Sequence, residues 1–190
     1  MSKVAIITGS SAGIGYAIAE TLAKADLSVV VNGRTSETLE EAESAIEGLG
    51  GKVLAVKADA TTPEGIEMII RETKNYFGRI DILINNAATV GVGHSVENMP
   101  IEVWDSVLNS NLRAVFQFCQ AIIPHLKEQG EGRIVNIGGL SAKNPLPFAA
   151  ADAASKAGLL ALTRVLAAEL GYSNITVNTV IPGFQPDTES

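Results

Sequence analysis

The residues with the clearest chemical potential lie in GGLSAKNPLPFAAADAASKAG, residues 138 to 158, where Asp152 precedes Lys156 by four positions. A carboxyl ordinarily ionises near pH ~4 and an ammonium near ~10. At neutral pH this pair therefore offers a proton acceptor beside a cation, so Asp152 is expected to accept a proton from an alcohol but to be a poor donor to a forming alkoxide. A second chemical stretch, TGSSAGIG, sets Gly9, Gly13 and Gly15 directly after an apolar run. Glycines there let the backbone turn tightly and approach a pyrophosphate, whose charge meets the N–H groups opening the next helix. Their spacing, G-x-x-x-G-x-G, is one residue wider than the usual dinucleotide fingerprint, so the context of a strand before and a helix after carries the reading. The other reactive side chains read as structural. His94 and His125 have no partner pattern for a metal, so no metal site is expected. Trp104 reads as packing, and Cys119, inside AVFQFCQAIIP, reads as a small buried hydrophobe.

These residues need elements to hold them. The β-branched runs KVAIIT, SVVVN, KVLAVKA, IDILIN, RIVNIG and NITVNTV have strand length, and helical spacing fills 13 to 25, 36 to 49, 63 to 77, 101 to 128 and 153 to 171. Strands apolar on both faces that alternate with helices predict an α/β fold: a doubly wound parallel sheet of Rossmann type, three layers αβα. No linker or repeat interrupts the pattern, so one domain over 1–190 is expected. The chain carries 14 Lys and Arg against 21 Asp and Glu, a net charge of -7, with no basic cluster to follow a phosphate backbone. Nucleic acid is thereby disfavoured as a partner. MSKVAIITG enters a strand at once, and no run approaches the ~20 apolar residues of a membrane span. The expectation is a cytoplasmic protein with no leader or membrane anchor, and the lone cysteine agrees with a reducing compartment.

With the glycine loop, NNAA at Asn85 to Ala88 and the Asn111 and Lys156 stretches in place, the sequence resembles the short-chain dehydrogenase/reductase family over nearly its whole length. The resemblance implies a nicotinamide dinucleotide held by Gly9, Ser11, Gly13, Ile14, Gly15, Asp59, Ala60, Asn86, Ala87, Lys156, Pro182 and Gly183. Asp59 matches the position that bonds the adenine amino group, and Pro182-Gly183 the segment beside the nicotinamide carboxamide. At the end of the second strand an acid would accept from the ribose 2′-OH and repel a 2′-phosphate. Gly33 stands there instead, followed by Arg34, which can clamp that phosphate, although Ala12 lacks the basic group some NADP-preferring relatives carry. NADP(H) is therefore expected over NAD(H). Relatives also pair through their two long helices, and the stretches 101 to 128 and 153 to 171 look too apolar to be solvated all round. A homo-oligomer, dimer or tetramer, is expected.

Ordinary members place Asn, Ser, Tyr and Lys around the nicotinamide. Here Asn111 and Lys156 match the Asn and Lys, while Asp152 stands at the Tyr position and Gly139 at the Ser position. The resemblance thus makes Asn111, Asp152 and Lys156 the catalytic set, with the proton-transfer pair altered. Loss of a positioned acid or base costs typically ~10²–10⁴ in rate. Ser141 reads as a loop serine rather than a stand-in hydroxyl. After the sixth strand the chain runs IPGFQPDTES, where relatives continue into a lid and a seventh strand, so an open pocket is expected. Three readings follow: an oxidoreductase acting on a small carbonyl, alcohol or conjugated enoyl substrate with altered proton delivery, a nucleotide-binding pseudoenzyme serving as sensor or partner subunit, or a fragment of a longer product.

Overall fold

A computed structural model describes residues 2–183; the segment from Phe184 onward, within the Pro/Gly-rich ending, lies outside the described residues. Six parallel strands, β1 (Val4–Ile7), β2 (Ser28–Gly33), β3 (Lys52–Lys57), β4 (Ile82–Asn85), β5 (Gly132–Ile137) and β6 (Ile175–Val180), form one sheet in the order β3-β2-β1-β4-β5-β6. The helices are α1 (Gly13–Lys24), α2 (Ser36–Gly48), α3 (Pro63–Phe77), α4 (Ile101–Leu108), α5 (Ala114–Gln129) and α6 (Ala150–Leu170).

The two-residue period of a strand explains why these runs are apolar throughout. Val4 and Ile6 of β1 join a core with Ile66, Ile69, Phe118, Ile122 and Leu166 from α3, α5 and α6. Their alternates Ala5 and Ile7 join a second core with Ala19, Ala23, Leu39 and Ile46 from α1 and α2. Both faces of the sheet are thus covered, the condition under which parallel strands lose their polar alternates. The strand at the far edge differs. Ile175 and Val177 of β6 are buried, while Thr176, Asn178 and Val180, pointing to the α1 side, are exposed.

Two helices differ from the pattern read in the sequence. The continuous helix expected over 101 to 128 is interrupted at Asn109–Arg113 by a π-helical turn, a local widening that shifts the side chains after it and is often found at functional sites. The last helix begins at Ala150 rather than 153, because Ala150 and Ala151 are strong helix formers and Ala151 is fully buried. Asp152 consequently belongs to the first helical turn.

At the N-terminal ends of the strands, buried Asp81 ties the sheet together. It accepts from the Val4 N–H at 2.8 Å, from Arg79 Nε at 2.9 Å and Nη2 at 2.6 Å, and from Gln129 Nε2 at 2.8 Å. The carboxylate in turn raises the Arg79 pKa through that side-chain hydrogen bond. Asp81→Ala leaves these donors unpaired and is expected to cost about 3 kcal/mol in urea unfolding, the scale for breaking a buried pair. Because the glycine loop and the other residues expected to hold a dinucleotide lie at the opposite ends of the strands, dinucleotide affinity of the folded variant should be unchanged.

Candidate active site

The strand order reverses at β1, whose neighbours β2 and β4 lead to crossovers of opposite direction, and a crevice at the C-terminal ends of the strands is the binding place of such sheets. Thr8, directly after β1, fixes its geometry. Its hydroxyl accepts from the N–H groups of Asn86 and Ala87, both at 3.0 Å. The Asn86 side chain answers by donating to the carbonyls of Thr8 at 3.0 Å and Gly9 at 2.9 Å. The loops after β1 and β4 are therefore one unit. Gly9 takes φ +60, and a Cβ there would approach the Ala87 Cα at 3.0 Å; at Gly15 it would strike the Gly9 carbonyl and the Asn86 amide. Side chains are excluded by this close approach.

Asn32 near the end of β2 was not singled out in the sequence. It is buried, its amide donates to the carbonyls of Val56 and Ala58 at 3.0 Å each, and its own carbonyl accepts from the Ser10 N–H at 2.8 Å. The Ser10 hydroxyl bonds back to the Asn32 N–H at 2.9 Å. Asn32 thereby braces the glycine loop against β3, and its signal in the sequence was a lone polar residue closing an otherwise apolar strand.

A polar cleft of about 380 Å³ opens above this frame, lined by Gly9, Ser11, Arg34, Asp59, Ala60, Asn86 and Ala87 of the residues expected to hold a dinucleotide, together with Asn32, Thr61, Thr89 and Ser110. Burial alone would raise the Asp59 pKa, but the Thr61 hydroxyl at 2.7 Å, the Thr61 N–H at 2.9 Å and the charge of Arg34 outweigh it and hold the carboxyl below its ordinary value. The N-terminus of α1, capped by no side chain and carrying no acid in its first turn, borders the same loop. Positive φ, uncapped N–H groups and polar lining together suit a dinucleotide. Not every expected residue lines this cleft. Gly13 takes φ +57 with open space around it, and Gly15 is buried against the loop. Ile14 and Pro182 line an adjoining apolar groove of about 400 Å³ between α1 and β6. Gly183 is exposed, with open space around it.

The proposed chemical residues gather on the α6 side. Asn111, in the π-helical turn, accepts from the Thr89 N–H at 2.8 Å and donates to the Thr89 carbonyl at 3.0 Å and to Ser155 Oγ at 3.2 Å. It is buried and joins the segment after β4 to α6. Lys156 is buried and donates to the Ile137 carbonyl at 3.0 Å. Burial lowers its pKa, and the charge of Asp152 opposes that shift. Ser141 is more than a loop serine: its hydroxyl donates to Asp152 Oδ2 at 2.6 Å. An acid in the first turn of a helix also favours the helix dipole, yet a purely capping Asp would not need a serine aimed at it from another segment. Cys119 is buried as expected, and burial pushes its thiol up to about 12 against a weak contact from Asn85.

The profile described as short chain dehydrogenase matches residues 3–189. The chain belongs to the short-chain dehydrogenase family. It is 39% identical over 186 residues to a D-beta-hydroxybutyrate dehydrogenase of Rhizobium meliloti, covering 97% of this chain and 72% of that protein. The chain spans between 64% and 74% of the length of the curated relatives it matches. Among solved structures it resembles a metagenomic short-chain oxidoreductase in complex with NADP, at 34% identity and TM-score 0.91 over 97% of this chain and 84% of that one. It also resembles an NAD+-bound xylitol dehydrogenase, at 31% identity and TM-score 0.92 over 96% and 70%. No helix among the described residues is long and apolar enough to cross a membrane.

Because the Asn32 side chain donates to the Val56 and Ala58 carbonyls and accepts from the Gly9 N–H of the loop at 3.4 Å, Asn32→Ala is expected to lower stability by about 2 kcal/mol through unpaired buried groups. Titration of the folded variant should show weakened dinucleotide binding, whereas an unchanged affinity would separate the loop's shape from this brace.

Proposed function

We propose that the chain is an oxidoreductase of the short-chain dehydrogenase type that uses NADP(H) in preference to NAD(H) and handles the substrate proton differently from ordinary members. The cofactor, when bound, supplies or takes a hydride, and positioning and charge fall to the protein. Gly9, Ser11, Asp59, Ala60, Asn86 and Ala87 would hold its adenosine and pyrophosphate part, with Arg34 at the 2′-phosphate. Lys156 would hold the nicotinamide ribose, next to Pro182 and Gly183. Asn111 acts as a positioning residue, since its amide already serves Thr89 and Ser155.

The observation that carries the reading is the Ser141–Asp152 contact beside buried Lys156. In the proposed correspondence Asp152 occupies the place of the family's Tyr and Gly139 that of its Ser, so the cofactor half is retained and the proton half is changed. The substrate is a small molecule that gains or loses a hydride. A homo-oligomer through α4 to α6 is part of the proposal: exposed Phe116 and Val165 lie on α5 and α6, and Phe116 lines a groove of about 860 Å³ with Leu112 and Leu162.

Ordinary ketone reduction should be very slow, and Gly139→Ser with Asp152→Tyr should raise it. The backbone accepts the serine: Gly139 is extended, and an added Cβ would sit 3.4 Å from Lys156 Cγ and from Ser141 Oγ. Each single change should give much less, as groups acting as one unit are non-additive. NADPH oxidation over a panel of ketones tests this, with binding controls in which Arg34→Ala erases the preference for NADPH over NADH. An unaltered chain that reduces a ketone at ~10 s⁻¹, a median enzyme rate, would contradict the account.

A further inference from the structure

Resting on the oxidoreductase reading, we propose that Ser141 and Asp152 form an anionic subsite whose substrate class is the protonated imine, with the corresponding amine as product. A carbonyl that gains a hydride becomes an alkoxide and needs a hydrogen-bond donor poised at its oxygen. This site commits its hydroxyl, and one of the three N–H groups of its ammonium, elsewhere. The Ser141 hydrogen points at Asp152 Oδ2, 2.6 Å away, and Lys156 directs its ammonium to the Ile137 carbonyl. Beside them stands a half-buried carboxylate.

That carboxylate also forms no direct ion pair among the described residues, although its charge bears on buried Lys156. The ion pairs among the described residues are Lys3–Glu131, Lys24–Glu20, Arg71–Glu72 and Arg79–Asp81; Asp152 belongs to none of them, although Lys156 lies one turn along the same helix. A half-buried carboxylate with one side-chain hydrogen bond has lone pairs left for a cationic donor. An iminium group provides one, because its N–H⁺ can donate to Asp152 while its carbon remains open to attack.

Proton bookkeeping then needs no acid from the protein. The iminium carbon gains a hydride from the reduced nicotinamide, the C=N π pair becomes the nitrogen lone pair, and a neutral amine and the oxidised cofactor result with charge conserved. The amine afterwards takes its proton from water. In the reverse direction Asp152 would hold the amine nitrogen as positive charge develops on it. A conjugated enoyl thioester, the neutral acceptor that also dispenses with a tyrosine, would leave the Asp152 charge unpaired. Apolar surface for the hydrocarbon part stands close in the chain: exposed Leu140 adjoins Ser141, and exposed Phe148 precedes α6. Phe148 takes φ 65 and is held there by the Gly93 N–H at 2.8 Å, a left-handed conformation that non-glycine residues adopt at a cost and that clusters at functional sites.

The test uses the full chain saturated with NADP+ and reads binding by calorimetry. The 2-methylpyrrolidinium cation should bind at least about tenfold more tightly than neutral cyclopentanone, the weight of one charge-assisted hydrogen bond. Asp152→Asn should lose that advantage while keeping its affinity for NADP+, and Asp152→Glu should restore part of it. NADPH oxidation should run correspondingly faster with 2-methyl-1-pyrroline than with cyclopentanone. Equal binding of the cation and the ketone by the unaltered protein overturns the proposal even if the variants do not fold, as does a cation advantage that survives in folded Asp152→Asn. Failure to bind NADP+ at all would instead sink the oxidoreductase reading beneath it.

Discussion

The structure depends first on the seam between the loops that follow β1 and β4. One threonine hydroxyl and one asparagine amide, Thr8 and Asn86, exchange four hydrogen bonds with the opposing backbone. The seam lies where the strand order reverses, the place at which a doubly wound sheet must open a crevice. Without it the two halves would still pack through their apolar faces, but only the Thr8 N–H bond to the Ile84 carbonyl would tie the start of the glycine loop to β4. Gly9 and Gly15 follow from the same constraint, because a Cβ at either position meets the segment that Asn86 pins. Asn32 completes the frame from β2 by bonding both the loop and the β3 carbonyls.

On that frame the two sides of the site have different character. The dinucleotide side collects polar groups whose charges are already balanced: Asp59 is held ionised by Thr61 and sits within reach of the Arg34 charge. The side facing α6 is less balanced, since Lys156 is buried against a carbonyl and Asp152 takes its one side-chain bond from a serine. The π-helical turn carries Asn111 into this region and secures Thr89 to α6. The site thus has a rigid backbone frame on one side and a short, charged side chain on the other.

Much of this was legible in the sequence because it follows from short-range rules. The six apolar runs became the six strands, since strands buried on both faces admit few polar residues, and the glycine spacing marked a turn that only glycine allows. The helix interruption at Asn109–Arg113 was not legible, because residues with adequate helix propensity gave no local sign of a widened turn imposed by tertiary bonds. Asn32 and Asn136 were passed over for a related reason. Each is a polar residue near the end of an apolar run, and its partners, Val56 and Ala58 for one and Asn85 and Thr163 for the other, are distant in sequence. Ser141 was likewise undervalued, because its separation from Asp152 is bridged only when the turn after β5 folds onto the start of α6.

The central claim, that a nicotinamide dinucleotide occupies the cleft framed by Thr8, Asn32 and Asn86, is tested most directly by hydrogen–deuterium exchange of the chain with and without NADPH. The account predicts added protection concentrated in the loop and helix start at 8 to 15, the segments 32 to 35 and 58 to 61, and the segment 86 to 89, with the Asp81 end of the sheet unchanged. Absence of protection in those four segments at saturating NADPH, or protection confined to the groove between α4, α5 and α6, would contradict it.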